Sequence, residues 1–132
     1  NEKFQKESGH TRGSFWDCPL NRDYVNRLRS DNLPRTEAKS ENRINRIAGT
    51  ADPRQTERVP AGAQFDFKLT VKQFDGDEEA LLDTLLQGLK LLEWDSLGGS
   101  GSRGYGKVAF TAITRNGKDI SSCFAAIQPF AK

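Results

Sequence analysis

The sequence predicts an α+β fold, in which residues 62–132 form a strand, a helix, a glycine-rich loop and a strand. Three observations predict this order: apolar side chains alternate along residues 64–72, leucines recur at helical spacing over residues 81–92, and five glycines lie within residues 97–107. The order matches one half of a ferredoxin-like or RRM-like βαββαβ sandwich. Half a sandwich leaves a sheet edge uncovered, so we expect the other half to be another chain or to be lost.

The composition fits one small domain or part of a larger one, with 132 residues and a net charge of +2. Because this charge is low, no global field attracts nucleic acid, and such a site must come from local clustering of charge. The chain begins with Asn and contains no Met. We therefore expect a fragment, a processed piece or one section of a fused polypeptide.

Several classes of protein are disfavoured. No apolar run approaches the length of a membrane span and no hydrophobic signal segment is present, so we expect a cytosolic protein. Cys18 and Cys123 lie far apart and the single histidine is His10, which gives neither zinc spacing nor a disulfide framework. We expect two buried or bystander thiols in a reducing cytoplasm, a solvated His10, and no Ser-His-Asp or Cys-His pairing.

The first half of the chain carries weaker patterns. Residues 1–20 are predicted to form a polar tail and a short strand, "SFWDCPL", that ends at Pro19. Residues 21–61 are polar and Arg-rich with few apolar anchors, so they cannot bury enough surface to fold alone. We predict an arm or a hairpin that leans on something else.

The second half carries stronger patterns. "QFDFKLTVK" places Phe65, Phe67, Leu69 and Val71 on one face, which is typical of a half-buried strand. "KVAFTAI", residues 107–113, is predicted to be a buried strand, and Asn116-Gly117 is predicted to form a tight hairpin turn.

"DGDEEALLDTLLQGLKLLEW" predicts an amphipathic helix packed on the sheet. Asp75 or Asp77 is expected to cap its start, and Glu78 and Glu79 suit the positive end of its dipole. The predicted apolar stripe consists of Leu81, Leu85, Leu89 and Leu92, widened by Leu82 and Leu86.

The loop "LGGSGSRGYGK" lies between a helix and a strand, which disfavours the dinucleotide-binding fingerprint, and it lacks the Walker A pattern. Two interpretations remain: a flexible connector, and bare backbone amides that approach an extended phosphodiester with two cations to neutralise it and Tyr105 to stack on a base or ribose. The candidate RNA-binding residues are Gly98, Gly99, Ser100, Gly101, Ser102, Arg103, Gly104, Tyr105, Gly106 and Lys107.

The arm also has two interpretations, an internally salt-bridged surface and an RNA-binding surface, because acids are interleaved with its cations. An apolar tip of Ile44, Ile47 and Val59 is expected to wedge between bases or into a neighbouring subunit. The cations are Arg35, Lys39, Arg43, Arg46, Arg54 and Arg58, and the acids are Glu37, Glu41, Asp52 and Glu57.

Three carboxylates are the candidates for metal-dependent chemistry. Glu37 and Glu41 share a face if this part is helical, and with Asp17 they form the only metal-binding carboxylate group that the spacing allows. Ion pairs with neighbouring Arg and Lys explain the glutamates equally well, so we assign no metal site.

Two long segments, "TEAKSENRINRIAGTADPRQTERVPAGAQFDF" and "GLKLLEWDSLGGSGSRGYGKVAF", together resemble the RAMP superfamily. The resemblance is to the guide-RNA-binding backbone subunit of type III-A (Csm-type) CRISPR effector complexes, and it spans residues 36–110. It implies a modified RRM fold that stacks as a filament along guide crRNA, with target RNA and other RAMP subunits or domains, including the missing N-terminal half, as partners. It also implies a prokaryotic cytoplasmic location and no membrane.

The resemblance assigns roles to the loop and the arm. The glycine loop with Arg103 would touch the guide backbone, and a thumb at about residues 41–60 would push between guide and target and flip a nucleotide. Arg46, Pro53, Arg54 and Arg58 become expected backbone or sugar contacts. The full set of thumb residues is Arg43, Ile44, Arg46, Ile47, Pro53, Arg54, Arg58 and Val59.

The sequence departs from the family where cleavage is concerned. The family's acid for metal-dependent cleavage of target RNA lies in the N-terminal half, before anything present here, so whether this chain is itself an enzyme stays open. Asp17 loosely matches an acidic place, while Glu37 and Glu41 match acidic places whose implied role is positioning rather than chemistry. We expect no cofactor in this chain and Mg²⁺ or Mn²⁺ in the assembled complex. The rival functions are an endoribonuclease that processes guide precursor, for which His10 is the available base, and a purely structural segment.

Overall fold

The computed structural model describes residues 11–74 and 80–130 and divides the chain into two compact units, Asn1–Lys72 and Gln73–Lys132. Helices mixed with small antiparallel sheets make the fold α+β, as predicted. The first unit contains β1 (Gly13–Phe15), α1 (Arg22–Ser30), β2 (Glu37–Asn45), β3 (Thr50–Arg58) and β4 (Leu69–Val71). The second contains α2 (Ala80–Trp94), a 3-10 turn (Gly101–Arg103), β5 (Thr114–Arg115), β6 (Lys118–Asp119) and α3 (Ser121–Ala125).

Some predictions fall outside this part of the chain. Those made for His10, Asp75, Asp77, Glu78 and Glu79 lie outside the described residues. Over residues 11–74 and 80–130, no helix combines the length and the apolar character that a membrane span needs.

In the first unit, β1 and β4 form an antiparallel ribbon in which Phe15 lies opposite Leu69. Backbone bonds extend the pairing beyond the two strands, and an isolated bridge joins Leu20 to Phe65. The predicted strand over residues 64–72 is therefore too long, since regular strand covers only Leu69–Val71. The facing segment contains Pro19, which has no N–H to donate, so a continuous ladder cannot form there.

Helix α1 lies inside the predicted arm and was not predicted. The Asn21 side-chain oxygen accepts from the backbone N–H of Asp23 at 3.0 Å and of Tyr24 at 3.2 Å, which caps the first turn. Tyr24 and Leu28 are buried one helical turn apart. An Asn before an apolar pair at i and i+4 is the sequence signal that identifies this helix.

Strands β2 and β3 form a regular antiparallel hairpin that runs from the pair Glu37 and Arg58 to the pair Asn45 and Thr50. The Asn45 side chain accepts from the backbone N–H of Ile47 at 3.0 Å, and Gly49 has φ +64° and closes the turn. A hairpin in the arm was one of the predicted forms.

In the second unit, α2 confirms the predicted amphipathic helix. Leu82, Leu85, Leu86, Leu89 and Leu92 are half-buried, whereas Leu81 is exposed. The packing of this helix on a sheet stays a prediction.

Within the second unit, the end of α2 contacts the C-terminal segment. The Glu93 carboxylate accepts from the backbone N–H of Phe110 at 2.6 Å. The Lys90 ammonium lies 5.0 Å from the ring centre of Phe124, which is 2% exposed.

The prediction of a strand over residues 107–113 is wrong. Val108 and Phe110 are half-buried and Ala109 is exposed, so the segment is not buried as predicted. In addition, Ala112 has φ +52°, which interrupts an extended backbone, and no described strand pairs with this segment. The predicted turn at Asn116-Gly117 is confirmed, since both residues have positive φ and join β5 to β6.

Both cysteines are free and exposed, so of the two expected alternatives the buried thiol is wrong and the bystander thiol remains. Cys18 lies in the segment that follows β1, where exposed residues surround it. Cys123 precedes the buried Phe124 on α3 and lies on the exposed side of that helix.

The surroundings of the Glu93 carboxyl predict that its contribution to the stability of the folded chain depends on pH. Burial acts to raise its pKa, but hydrogen bonds from the Lys90 ammonium and the Phe110 N–H, together with the charge of Lys90, outweigh burial and lower the pKa. A group whose pKa is lower in the folded chain stabilises it above the ordinary glutamate pKa and loses that effect as the pH falls through the lowered value.

We expect Glu93→Gln to be less stable than the parent by about 1 kcal/mol at pH 7, and this difference to shrink below about pH 4.5. Urea unfolding of both proteins between pH 7 and pH 3 measures the difference. A difference that does not change with pH contradicts the assignment.

Candidate functional site

The glycine loop, residues 97–107, is closed by contacts between its two ends. The backbone N–H of Leu97 donates to the Gly106 carbonyl at 2.8 Å. Gly106 has φ +73°, and a Cβ built on it would collide with the Leu97 carbonyl. Glycine is therefore required at this position both for its backbone conformation and for the close approach of the two segments.

Inside the loop, one tight turn leaves a run of backbone amides available. The Ser100 carbonyl accepts from the N–H of Arg103 at 2.9 Å and of Tyr105 at 3.4 Å, and Ser100 itself has φ +61°. In contrast, the N–H groups of residues 98–102 donate to no described residue. Successive amides in a tight loop form concavities that bind anions, which is the chemistry that a phosphate cradle needs.

The two cations of the loop differ in their surroundings. The Lys107 ammonium donates to the carbonyls of Trp94 at 3.0 Å and Asp95 at 2.6 Å, where α2 ends. It therefore satisfies carbonyls that have no partner within the helix, and its positive charge suits that end of the dipole. Arg103 ends the 3-10 turn with its side chain exposed, and Tyr105 is half-buried. Direct contact of these residues with RNA stays a prediction.

The β2–β3 hairpin has one face on which opposite charges are paired across the strands. Glu37 lies opposite Arg58, Glu41 opposite Arg54, and Arg43 opposite Asp52. The Arg58 Nε donates to the Glu37 carboxylate at 2.6 Å. Cross-strand opposites of this kind stabilise a hairpin modestly. This geometry supports the salt-bridged interpretation of the arm.

Two further ion pairs lie along a strand on the same face. Lys39 Nζ lies 3.6 Å from a Glu41 carboxylate oxygen, and Arg54 Nε lies 3.5 Å from an Asp52 oxygen. The other face carries mostly small or uncharged side chains, since alternate residues point away from the charged face. These are Ala38, Ser40, Asn42, Ile44, Ala51, Pro53 and Gln55.

The predicted apolar tip is only partly correct. Ile47 is fully exposed in the turn and Ile44 is 68% exposed beside it. Val59 follows β3 at the other end of the hairpin, next to the pair Glu37 and Arg58. A strand rises about 3.3 Å per residue, so Val59 lies about 30 Å from the turn and is not part of this tip.

The carboxylate candidates do not form a metal site. Residues 37–45 form a strand rather than a helix, so the condition for a shared helical face is not met, although Glu37 and Glu41 share a face of the strand. Glu37 pairs with Arg58, and Asp17 lies in the segment that follows β1. Across residues 11–74 and 80–130, no group of three or more His, Cys, Asp or Glu is arranged to hold a metal. The described residues therefore do not fit a divalent metal.

Comparison with known families identifies the chain's relationship. A family model described as the RAMP superfamily matches residues 12–109, which include the ribbon, the hairpin, α2 and the glycine loop. The chain belongs to the RAMP superfamily. The resemblance found in the sequence is thereby confirmed.

Curated relatives share one printed name, CRISPR system Cms endoribonuclease Csm3. The chain is 52% identical over 77 residues to that of Methanothermobacter thermautotrophicus, covering 58% of the chain and 31% of the relative. It is 53% identical over 81 residues to that of Streptococcus thermophilus, covering 59% and 37%, and 43% identical over 92 residues to that of Mycobacterium tuberculosis, covering 59% and 39%. The chain thus spans about a third of the length of these relatives.

Closure of the glycine loop predicts unequal effects for two of its glycines. Gly106→Ala should destabilise the chain by about 2 kcal/mol, because alanine would be strained at positive φ and would collide with Leu97. Gly99→Ala is the matched control, since a Cβ there meets nothing within 4 Å. It should change stability by less than about 0.5 kcal/mol. Urea unfolding of the two variants tests this, and equal effects contradict the closure.

Proposed function

We propose that this chain is part of a guide-RNA-binding backbone subunit in a type III CRISPR effector complex. The observation that carries the proposal is that the RAMP match extends over both the hairpin and the glycine loop. Relatives named Csm3 at 42–53% identity support the Csm-type assignment. The subunit binds crRNA and supports the binding and periodic cleavage of target RNA.

The glycine loop is the proposed contact with the guide backbone. Its amides at residues 98–102 donate to no described residue, and Arg103 lies exposed at the end of the same turn. Amides and guanidinium groups bind phosphate oxygens without reading base identity. Binding through this loop is therefore independent of sequence and weakens as the salt concentration rises.

The hairpin is the proposed thumb. Its charged face balances itself through pairs such as Glu37 with Arg58, so it adds little net attraction for RNA. The exposed Ile44 and Ile47 at its turn are then the side chains suited to separate stacked bases, because apolar wedges unstack nucleotides in other complexes. Val59 lies at the opposite end of the hairpin from the turn, so it is not part of the proposed apolar wedge of Ile44 and Ile47.

The fold within the complex is proposed to be half of an RRM-like RAMP domain. In this arrangement, the leucine stripe of α2 packs on strands contributed by the rest of the subunit. Other RAMP subunits or domains complete the assembly. Residues 108–110 alternate between half-buried and exposed side chains, which is typical of a strand and supports a sheet completed in this way.

Cleavage is proposed to depend on groups that the described residues do not provide. The relatives are endoribonucleases by name, but Asp17, Glu37 and Glu41 form no metal-binding group. The acid and the Mg²⁺ or Mn²⁺ ion are then supplied elsewhere in the assembled complex. Glu37 and Glu41 act in the hairpin by holding its arginines and lysine in place.

Replacement of Arg103 tests the proposed function. In the purified complex, Arg103→Ala should weaken the binding of guide RNA about tenfold, because it removes one charge-assisted phosphate contact. The slope of log K against log salt should fall by about 0.7, and the loss should be similar for unrelated guide sequences. Filter binding at several salt concentrations measures both effects.

Arg115→Ala is the matched control, because it removes an exposed arginine of the same unit outside the glycine loop. It should leave the affinity within about twofold of the parent. Unchanged affinity for Arg103→Ala would sink the proposed backbone contact and favour a purely structural segment. Cleavage of free guide precursor by the chain alone would instead favour the rival processing enzyme.

A further inference from the structure

The β1–β4 ribbon carries an exposed tryptophan that its neighbours hold in one orientation. Trp16 is 55% exposed, and its indole N–H donates to the Thr70 hydroxyl at 3.1 Å. The Lys68 ammonium lies 4.9 Å from the centre of the Trp16 ring. An exposed large aromatic is costly to leave in water, and this one is also fixed by a hydrogen bond and a cation–π contact.

The register of the ribbon places cations on the same face as Trp16. Ser14 lies opposite Thr70. The backbone N–H of Trp16 donates to the Lys68 carbonyl at 3.1 Å, and the backbone N–H of Lys72 donates to the Arg12 carbonyl at 2.9 Å. Because side chains alternate, Trp16, Lys68, Lys72 and Arg12 share one face of the ribbon.

The acid on this polar face has its own partner. Asp66 lies two residues before Lys68 and accepts from the Asn21 side-chain amide at 2.8 Å, so it is turned toward the start of α1. Among the described side chains of the Trp16 face, Lys68 and Lys72 outnumber Asp66, so the net charge of that face is positive.

The opposite face of the ribbon is apolar and differs in character. Phe15 and Phe67 lie there with ring centres 6.4 Å apart, beside Leu69 and Val71. That face has the composition of a surface that packs against protein. The Trp16 face, which combines one fixed aromatic with several cations, has the composition of surfaces that bind single-stranded nucleic acid.

We propose that the Trp16 face of the ribbon is a second RNA contact, on which one base of a single-stranded RNA stacks on the indole while Lys68 and Lys72 bind the adjoining phosphates. The inference rests on the proposed function, since it assumes that the chain binds RNA. Trp16 is already held by Thr70 and Lys68, so stacking orders no additional side chain and costs little conformational entropy. Such stacking tolerates any base, because every base has a π-face.

The fluorescence of Trp16 reports the contact directly. The chain has two tryptophans, so in Trp94→Phe the indole of Trp16 is the remaining one. Titration of this full-length variant with a 20-nucleotide oligouridylate should quench its fluorescence as the RNA binds. Before RNA is added, acrylamide should quench Trp16 readily, as expected for an exposed indole.

Substitution separates stacking from charge. Trp16→Ala should weaken oligouridylate binding about tenfold, and Trp16→Phe should restore most of the loss because phenylalanine also stacks. Phe15→Ala is the matched control, since it removes a neighbouring exposed aromatic from the apolar face and should leave the affinity within about twofold of the parent. Lys72→Gln should lower the salt slope by about 0.7.

Each alternative outcome overturns the inference in a recognisable way. RNA binding by the parent with no change in Trp16 fluorescence, and with equal affinities for Trp16→Ala and Phe15→Ala, overturns the ribbon contact and leaves the proposed function in place. Protection of Trp16 from acrylamide before RNA is added shows that protein covers this face. No RNA binding by the parent overturns the proposed function together with this inference.

Discussion

The backbone pairing between residues 12–21 and residues 64–72 is the constraint on which the first unit depends. It begins with the bond from the Lys72 N–H to the Arg12 carbonyl and ends with the bond from the Asn21 N–H to the Gln64 carbonyl at 2.8 Å. This pairing closes residues 22–63 into a loop at an entropic cost that grows only slowly with loop length. The helix and the hairpin both lie within that closed loop, so their ends are fixed by the ribbon.

Side chains at the end of the ribbon extend this constraint to α1. The Asn21 amide bonds to Asp66 while its oxygen caps the helix, and the Arg27 guanidinium donates to the Gln64 side chain at 3.1 Å. Tyr24 and Leu28 are the buried apolar side chains among residues 11–72 of this unit. The described part of this unit is therefore held together by a few side-chain hydrogen bonds and a small apolar core rather than by a large apolar interior.

Patterns that involve only neighbouring residues were predictable, and those that require a distant partner were not. The leucines of α2 and the Asn116-Gly117 turn specify their structures locally, and both are confirmed. Residues 107–113 have strand-like alternation, but a strand also needs a neighbouring backbone, which the sequence pattern cannot provide. Helix α1 was missed because only two of its side chains are buried, too few to produce a clear periodic stripe.

The candidate site shows the same division. Its glycines mark the loop in the sequence, whereas the bonds from Lys107 to Trp94 and Asp95 appear only once Gly106 brings the two ends of the loop together. Likewise, the arginines of the arm are visible in the sequence, but their pairing with acids depends on the register of β2 and β3. The residue type is thus enough to propose that an arginine contacts RNA, but the strand register decides whether an acid already neutralises its charge.

This distinction explains how a chain with a net charge of only +2 suits the RNA-binding role that we propose for it. The charges of the hairpin largely neutralise one another, because Glu37, Glu41 and Asp52 each face an arginine across the strands. On the Trp16 face, Lys68 lies opposite Trp16 and Thr70 lies opposite Ser14, so the ribbon register places no carboxylate opposite Lys68. Under the proposed function, attraction for phosphate is concentrated on surfaces that cover little area, and the hairpin would act through its shape and its exposed isoleucines. Average charge is a poor guide to such a protein, because the strand register decides which cations face an acid.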